Sequence, residues 1–299
     1  MRVNPYYISN LVSALNQTQV DQQNLTQQLS SGVRINSLSD DPVAAGSNVL
    51  LLNQIQKDDS FSLSSSVVTG QLQVADTALG SVVTQLTQAI SLATSGNNGT
   101  LNSSQLQSIS SQLAGIRDEV QSLANTSYLG QYIFSGSQTS TTPFSTSDLT
   151  SPATTTYNGD SGVNYLQTPN GQTIQLNLPG DQIFSAGGSN DVFAALNNLI
   201  ADFASGSSAS ASAADLTTLN QALNYVSQQR VVLDNSLTRL TAATNAVTSE
   251  KTQLTANQTD LMQADLADVA TKLSLAQTQQ TALMSVIAQL GSGSLFDKL

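Results

Sequence analysis

The chain has 299 residues, of which 39% are hydrophobic and 10% charged, and it contains no Cys, His or Trp. The absence of Cys and His excludes disulfides, a Ser-His-Asp triad and a zinc site of thiolates and imidazoles. The net charge of −11 argues against a nucleic-acid partner, because phosphates would be repelled. We therefore expect no metal site, no cofactor and no nucleic-acid partner.

The sequence shows no segment that could insert into a membrane. Its longest unbroken apolar run, Val192 to Leu196, is far shorter than the roughly 20 residues that a spanning helix needs. The first residues have no apolar core of the kind found in a cleaved signal peptide. We expect no membrane insertion, and either a cytoplasmic location or export without a cleaved signal.

A helical pattern begins near the N-terminus. Positions spaced alternately by three and four residues are Ile8, Leu11, Leu15, Thr18, Gln22, Leu25, Leu29 and Gly32. The apolar members have coiled-coil spacing, which three of the eight positions, Thr18, Gln22 and Gly32, interrupt. Because glycine commonly ends helices in a left-handed conformation, we predict the end of the first helix at Gly32.

Two further helices follow. Asp41 suits the N-cap and Pro42 the first turn, so a second helix should begin there and end near the turn at residues 95–99. The third helix has an uninterrupted apolar ladder, formed by Leu106, Ile109, Leu113, Ile116, Val120 and Leu123. A ladder of this kind predicts a helix packed on one face.

The middle of the chain loses the helical period. From Gln131 to about Gly188, glycines and prolines separate short strand-like runs. In residues 173–178, apolar and polar residues alternate, which is typical of a half-buried strand. We predict a small β-rich insert, a short helix from Asp191 to Phe203, and a Ser/Ala/Gly linker over residues 205–214.

The last third carries the longest apolar ladder, from Leu219 to Leu290. Three consecutive four-residue steps between Leu254 and Leu266 form a stutter, which locally unwinds a coiled coil. One straight helix over this range would measure roughly 110 Å. We therefore predict a mainly α fold, an elongated helical bundle or coiled coil of the two ends with a small β-rich insert.

The stripes at the two ends allow two interpretations. They could pack only on each other, as an intramolecular antiparallel hairpin. Alternatively they are assembly segments, poorly ordered alone and buried among copies of the chain. We predict terminal segments 1–42 with 256–299, disordered in the free monomer, a helical bundle of 43–130 with 190–255, and an insert of 131–189.

Several stretches resemble the bacterial flagellin family. Residues 29–45, LSSGVRINSLSDDPVAA, are similar to its N-terminal signature, and residues 262–290 resemble its C-terminal helix. Residues 130–144 and the ending at 294–299 are similar to the branch that joins hook and filament. The matching signature positions are Gly32, Arg34, Asn36, Asp40 and Asp41.

The resemblance implies a structural adapter at the junction between hook and filament, and no enzyme activity. It implies a homo-oligomeric ring, with the other junction protein on the hook side and flagellin on the filament side. It also implies an export chaperone, flagellar type III export without a cleaved signal, and an extracellular position in the flagellum. The assembly contacts would be made by Ile8, Leu11, Leu15, Leu25, Leu29, Leu266, Val269, Leu273, Leu283, Ile287 and Leu290.

Other functions remain open at this point. The chain could be a flagellin, the filament subunit itself, or an intracellular coiled-coil scaffold. A secreted hydrolase could use paired carboxylates such as Asp40 and Asp41. Gly159-Asp160-Ser161-Gly162 matches the sequence around a serine-protease nucleophile, but without a His we interpret it as a turn between strands.

Overall fold

The structure is a computed structural model that describes residues 5–185, 190–206 and 211–292. Its helices are α1 Pro5–Ser31, α2 Pro42–Gly96, α3 Ser103–Ala124, α4 Gly180–Ile183, α5 Val192–Ala204, α6 Ala211–Met262 and α7 Leu266–Ser292. Its strands are β1 Ser127–Tyr128, β2 Gln131–Tyr132, β3 Phe144–Ser147, β4 Thr154–Tyr157, β5 Tyr165–Gln167 and β6 Thr173–Gln175. The predicted mainly α class with a small β-rich insert is confirmed.

Local chemistry sets the ends of the first helices, as predicted. Gly32 has φ +70°, and its N–H donates to the carbonyl of Gln28 at 2.8 Å. Asp41 caps α2, because its Oδ1 accepts the N–H of Ala44 at 3.0 Å. Before α3, Asn102 and Gln105 form a reciprocal capping box, which satisfies amides that the first helical turn leaves unpaired.

The insert consists of three antiparallel strand pairs, β1–β2, β3–β4 and β5–β6. Of the predicted strand of residues 173–178, only Thr173–Gln175 is observed as a strand, β6, whose Ile174 pairs with Leu166. Residues 186–189, at the predicted end of the insert, lie outside the described residues. Gly159–Gly162 lies between β4 and β5, where a turn was expected.

The chain divides into two compact units, Met1–Lys57 with Ser249–Leu299, and Asp58–Thr248. The second unit contains the large hydrophobic core, whose buried members run from Phe61 to Val247. Aromatic rings are part of this core: Phe144 lies 5.5 Å from Phe184 and 5.0 Å from Phe193 between ring centroids. The insert packs into this core, since Phe144 belongs to β3 and Phe193 to α5.

The C-terminal ladder is not one helix. α6 ends at Met262 and α7 begins at Leu266, so the break falls inside the predicted stutter. Asp265 caps α7, because its Oδ1 accepts the N–H groups of Ala267 at 3.0 Å and Asp268 at 3.2 Å. The predicted linker of residues 205–214 is only partly described, and α6 already begins at Ala211. Among the described helices, none has both the length and the apolar character that crossing a membrane requires.

Candidate assembly surface

The first unit is built around the contact between α1 and α7. The loop after α1 meets the break before α7: Val33 and Gln263 form an antiparallel bridge. Because α1 ends and α7 begins at this bridge, the two helices run in opposite directions along their contact. The hairpin interpretation therefore describes the packing of α1 and α7 within one chain.

The predicted contact residues lie along this pair but are unevenly covered. Val269 is buried, whereas Leu29 and Leu266 are 39% and 48% exposed. The half-buried members are Leu11, Leu15, Leu25, Leu273, Leu283 and Ile287. The side chains of Ile8 and Leu290 lie outside the described residues. The α1–α7 pair thus covers its own seam only in part.

Thr18, which the sequence suggested as an interruption of the stripe, is a buried seam residue. Its side chain is only 9% exposed, and its hydroxyl donates to the carbonyl of Ala14 at 2.9 Å. This bond within the helix satisfies the hydroxyl, so threonine can occupy an apolar contact without an unpaired polar group. Spacing alone gave its position in the ladder but not its burial.

Large apolar side chains also lie exposed outside the seam. On α7, Leu275 is 58% exposed and Met284 47%, and Val286 is also exposed. The first residues of α2 expose Val43 and Leu50. Every member of the large buried cluster belongs to the second unit, so these side chains have no comparable core to join. These exposed side chains are candidates for contacts with other molecules.

A short backbone pairing joins the two ends of the chain, and we call residues 32–34 with 262–264 the clasp. The N–H of Arg34 donates to the carbonyl of Met262 at 2.7 Å, and the N–H of Ala264 to the carbonyl of Gly32 at 2.9 Å. The guanidinium of Arg34 contacts Asp41 Oδ2 at 3.3 Å and the carbonyl of Leu261 at 3.3 Å. Gly32 and Arg34, two of the signature residues, therefore connect the N-terminal loop to the C-terminal helices.

The two adjacent carboxylates, Asp40 and Asp41, serve this loop as hydrogen-bond acceptors. Asp40 Oδ2 accepts the N–H groups of Asn36 at 2.9 Å and Ser37 at 2.8 Å. These bonds, with Ser37 first, lower the pKa of Asp40. The N–H of Ala44 at the start of α2, and secondarily Arg34, lower the pKa of Asp41.

This environment disfavours the hydrolase alternative for the pair. A general acid in glycoside hydrolysis needs a raised pKa, but the pKa values of both carboxyl groups are shifted down. Asp160, in the protease-like tetrapeptide, also accepts hydrogen bonds from the backbone. Its Oδ1 accepts the N–H of Ser137 at 2.6 Å and the N–H of Gly162 at 2.9 Å. The hydroxyl of Ser161 donates to Asp181, which is a carboxylate and not an imidazole base.

Two models of known protein families match this sequence, one at each end of the chain. Residues 4–139 match the model of the bacterial flagellin N-terminal helical region, and residues 216–297 match that of the C-terminal helical region. Together these matches cover nearly three quarters of the chain. The chain belongs to the flagellin family.

Two curated relatives place the similarity more closely within that family. Flagellar hook-associated protein 3 of Salmonella typhimurium is 31% identical over 182 residues, which are 60% of this chain and 56% of the relative. The Escherichia coli protein of the same name is 33% identical over 120 residues, 40% of this chain and 38% of the relative. The chain thus spans about half or less of the curated relatives that it matches.

Solved structures support the fold. Flagellar hook-associated protein 3 from Legionella pneumophila aligns with TM-score 0.62 and 14% identity over 71% of this chain and 98% of its own. The flagellar junction protein FlgL from the same organism aligns with TM-score 0.58 and 15% identity over 72% of this chain and 99% of its own. At these identities the alignments establish a shared fold.

Proposed function

We propose that this chain is a structural adapter of the bacterial flagellum, located at the junction between hook and filament. Family membership supports a flagellar role, and the two curated relatives carry the name of a hook-associated protein. The observation that carries the proposal is the incompletely covered α1–α7 pair. A chain that worked alone would be expected to bury these side chains.

The exposed apolar side chains of α7 are the proposed contacts in a ring of identical copies. Burying one Leu, Val or Met side chain contributes roughly 1.5–3 kcal/mol, so a few such residues per copy give substantial stabilisation. Leu275, Met284 and Val286 are candidates because each is exposed in the single chain. In this proposal the terminal segments, 1–42 and 256–299, become stably ordered only in the assembly.

The same ring would contact two different neighbours, another junction protein on the hook side and flagellin on the filament side. The position requires export to the outside of the cell, and an export chaperone would cover the C-terminal stripe until then. This role involves no catalysis. The lowered pKa values of Asp40 and Asp41 support a structural role for the two carboxylates, because they result from hydrogen bonds within the loop and at the start of α2.

A deletion strain tests the proposal directly. Loss of the gene should leave hooks without filaments and release filament protein into the medium, because filament subunits would have no junction to assemble on. The intact chain should restore motility, and a labelled copy should appear between hook and filament in micrographs. Normal filaments in the deletion strain would contradict the proposal.

The surface itself is tested with charged substitutions. Leu275→Asp should leave the second unit folded but fail to restore filaments, because it places a charge in the proposed contact. The control is Leu149→Asp, since Leu149 lies in the insert and is 95% exposed. If the chain were instead a filament subunit, its deletion would leave bare hooks without released monomers.

A further inference from the structure

Three Asn-Gly pairs occur in the sequence, at residues 98–99, 158–159 and 170–171, and all of them lie in the second unit. In such a pair the backbone nitrogen of the glycine can attack the side-chain amide carbon of the asparagine. Glycine favours this attack because it has no Cβ to obstruct a close approach. The three pairs have the same reacting groups, so their surroundings decide which of them reacts.

The first pair lies in the turn between α2 and α3, and the side-chain oxygen of Asn98 accepts two hydrogen bonds there. The N–H of Thr100 donates to Asn98 Oδ1 at 3.0 Å, and the hydroxyl of Thr100 donates to the same atom at 2.7 Å. This is an Asx turn, in which the side chain lies along the backbone of Gly99. Attack on the amide carbon moves negative charge onto Oδ1, and two donors already directed at that atom stabilise the charge as it develops.

The glycine of this pair is free to react. Gly99 has φ +72°, and a Cβ added to it would meet nothing within 4 Å. No described residue accepts the N–H of Gly99, so the attacking nitrogen has no hydrogen bond to break. Asn98, Gly99 and Thr100 are all exposed, which gives water and hydroxide access to the reacting atoms.

The other two pairs are held in less reactive arrangements. Asn158 donates through Nδ2 to the carbonyl of Thr142 at 3.4 Å and to Ser145 Oγ at 3.1 Å. These bonds direct its side chain towards neighbouring segments and restrain the group that must leave. In the third pair, the N–H of Gly171 already donates to the carbonyl of Thr168 at 2.9 Å, a bond that attack by this nitrogen would break.

We propose that Asn98 is a site of self-catalysed deamidation, which in the folded chain reacts faster than the other two pairs. The nitrogen of Gly99 gives its proton to water or hydroxide and bonds to the amide carbon of Asn98. The bond from that carbon to Nδ2 breaks, and Nδ2 takes up a proton and leaves as ammonia. Water then opens the resulting cyclic succinimide at either carbonyl carbon, which gives aspartate or isoaspartate at position 98. No atom is oxidised or reduced.

The reaction would change the turn between α2 and α3. The product carries a negative charge two residues beyond Gly96, the last residue of α2, and the C-terminal end of a helix disfavours a nearby negative charge. Isoaspartate also lengthens the main chain by one carbon atom, which disturbs the two bonds from Thr100. The inference concerns the chemistry of the chain itself and does not depend on the proposed role at the junction.

Incubation of the folded full chain in mildly alkaline buffer tests the proposal. Peptide mass spectrometry after digestion measures the deamidated fraction of each Asn-Gly pair over time, and Asn98 should react fastest. In peptides prepared before the incubation, where the turns are lost, the three rates should become similar. Equal rates in the folded chain, or the same ranking in the peptides as in the folded chain, would overturn the proposal.

Substitution of Thr100 tests the role of its hydroxyl. Thr100→Val keeps the N–H donor but removes the hydroxyl, and it should slow deamidation of Asn98 about two- to tenfold, as expected for one lost hydrogen bond. Thr100→Ser retains a hydroxyl and should keep the rate close to that of the unmodified chain. The rate at Asn170 in the same samples is the internal control and should not change.

The product identifies the route. Opening of the succinimide gives isoaspartate as well as aspartate, whereas direct hydrolysis of the amide by water gives aspartate alone. An unchanged rate in Thr100→Val, or a product without isoaspartate, would overturn the proposal.

Discussion

Val33 and Gln263, from opposite ends of the chain, form an isolated antiparallel bridge. Each of them lies in an interruption between two helices, so the clasp pairs two segments that are not helical. It has two flanking hydrogen bonds, 2.7 Å and 2.9 Å long. The shorter one pairs the carbonyl of Met262, the last residue of α6, which the helix end would otherwise leave without a partner. The clasp places the end of α1 beside the start of α7.

Gly32→Ala should weaken the clasp. Gly32 has φ +70°, a conformation that costs an L-residue about 1–2 kcal/mol, although its added Cβ would meet nothing within 4 Å. We expect faster proteolysis between α1 and α2. Gly46→Ala is the control, because Gly46 lies inside α2 with open space around it. There alanine should be neutral or stabilising, and equal proteolysis of the two variants would contradict a special role for Gly32.

The loop before α2 should loosen in acid. Asp40 is held as a carboxylate by N–H donors of Ser37 and Asn36, which lower its pKa below 3.8. Its contribution is therefore present above about pH 4 and is lost as the pH falls through the lowered value. The amide resonance of Ser37, followed from about pH 6 to pH 2 by NMR, should report this transition.

Asp40→Asn should remove that transition, because asparagine does not titrate. Asp260→Asn, at an exposed position of α6 in the same unit, should leave it in place. A Ser37 resonance with the same acid transition in Asp40→Asn would show that another group is responsible.

Helix ends that are determined by residues adjacent in sequence could be predicted, whereas the clasp, which pairs residues far apart in sequence, could not. Gly32 and the pair Asp41-Pro42 carry their own backbone preferences, and the structure confirms both ends. The break after Met262 was signalled only as a stutter, because its position depends on backbone pairing with residues near Val33. The residues around Met262 give no indication in the sequence that they pair with a segment as distant as Val33.

Tyr157 should ionise late in an alkaline titration. Burial, and secondarily the charge of Asp181, raise its pKa to about 12, and its hydroxyl donates to the carbonyls of Phe134 and Asp160, each at 2.9 Å. Because the folded pKa exceeds the usual value near 10, the stabilisation is complete below about pH 10 and is lost as the pH rises towards 12. Phenolate absorbance should show one late component among seven tyrosines.

Tyr157→Phe should abolish the late component, whereas Tyr165→Phe, at an exposed tyrosine of β5, should retain it. If the late component survives in Tyr157→Phe, the burial of this hydroxyl in the insert is described incorrectly.

Arg117→Ala should destabilise the second unit. The Arg117 side chain is 6% exposed and contacts Asp118 at 2.8 Å and Asp148 at 2.7 Å. Arg117→Ala removes this buried stem and both ion pairs. Because the two carboxylates are themselves exposed, we expect a loss of about 2–3 kcal/mol, less than for a fully buried pair.

Denaturant unfolding of the full chain provides the measurement. Arg239→Ala is the control, since Arg239 is exposed and bonds the carbonyl of Thr173, and it should cost less than about 1 kcal/mol. Equal losses for the two variants would contradict the structural importance of Arg117.

The candidate surface was also only partly predictable. Apolar spacing located the seam of α1 and α7, but it could not distinguish a side chain buried in one chain from one that is exposed. Thr18 illustrates this limit, because its burial depends on a hydroxyl bond to the carbonyl of Ala14. Leu275 is exposed in the single chain, and its coverage in the proposed assembly would depend on a neighbouring molecule that the sequence of one chain does not describe.

Hydrogen exchange in α1 and α7 tests the central claim most directly, comparing dilute monomer with the same chain in isolated flagella. We predict fast exchange of both helices in the monomer and strong protection in the flagellum, with little change in the core between Phe61 and Val247. Equal, strong protection of α1 and α7 in both states would show that the pair is complete in one chain, and would contradict the account.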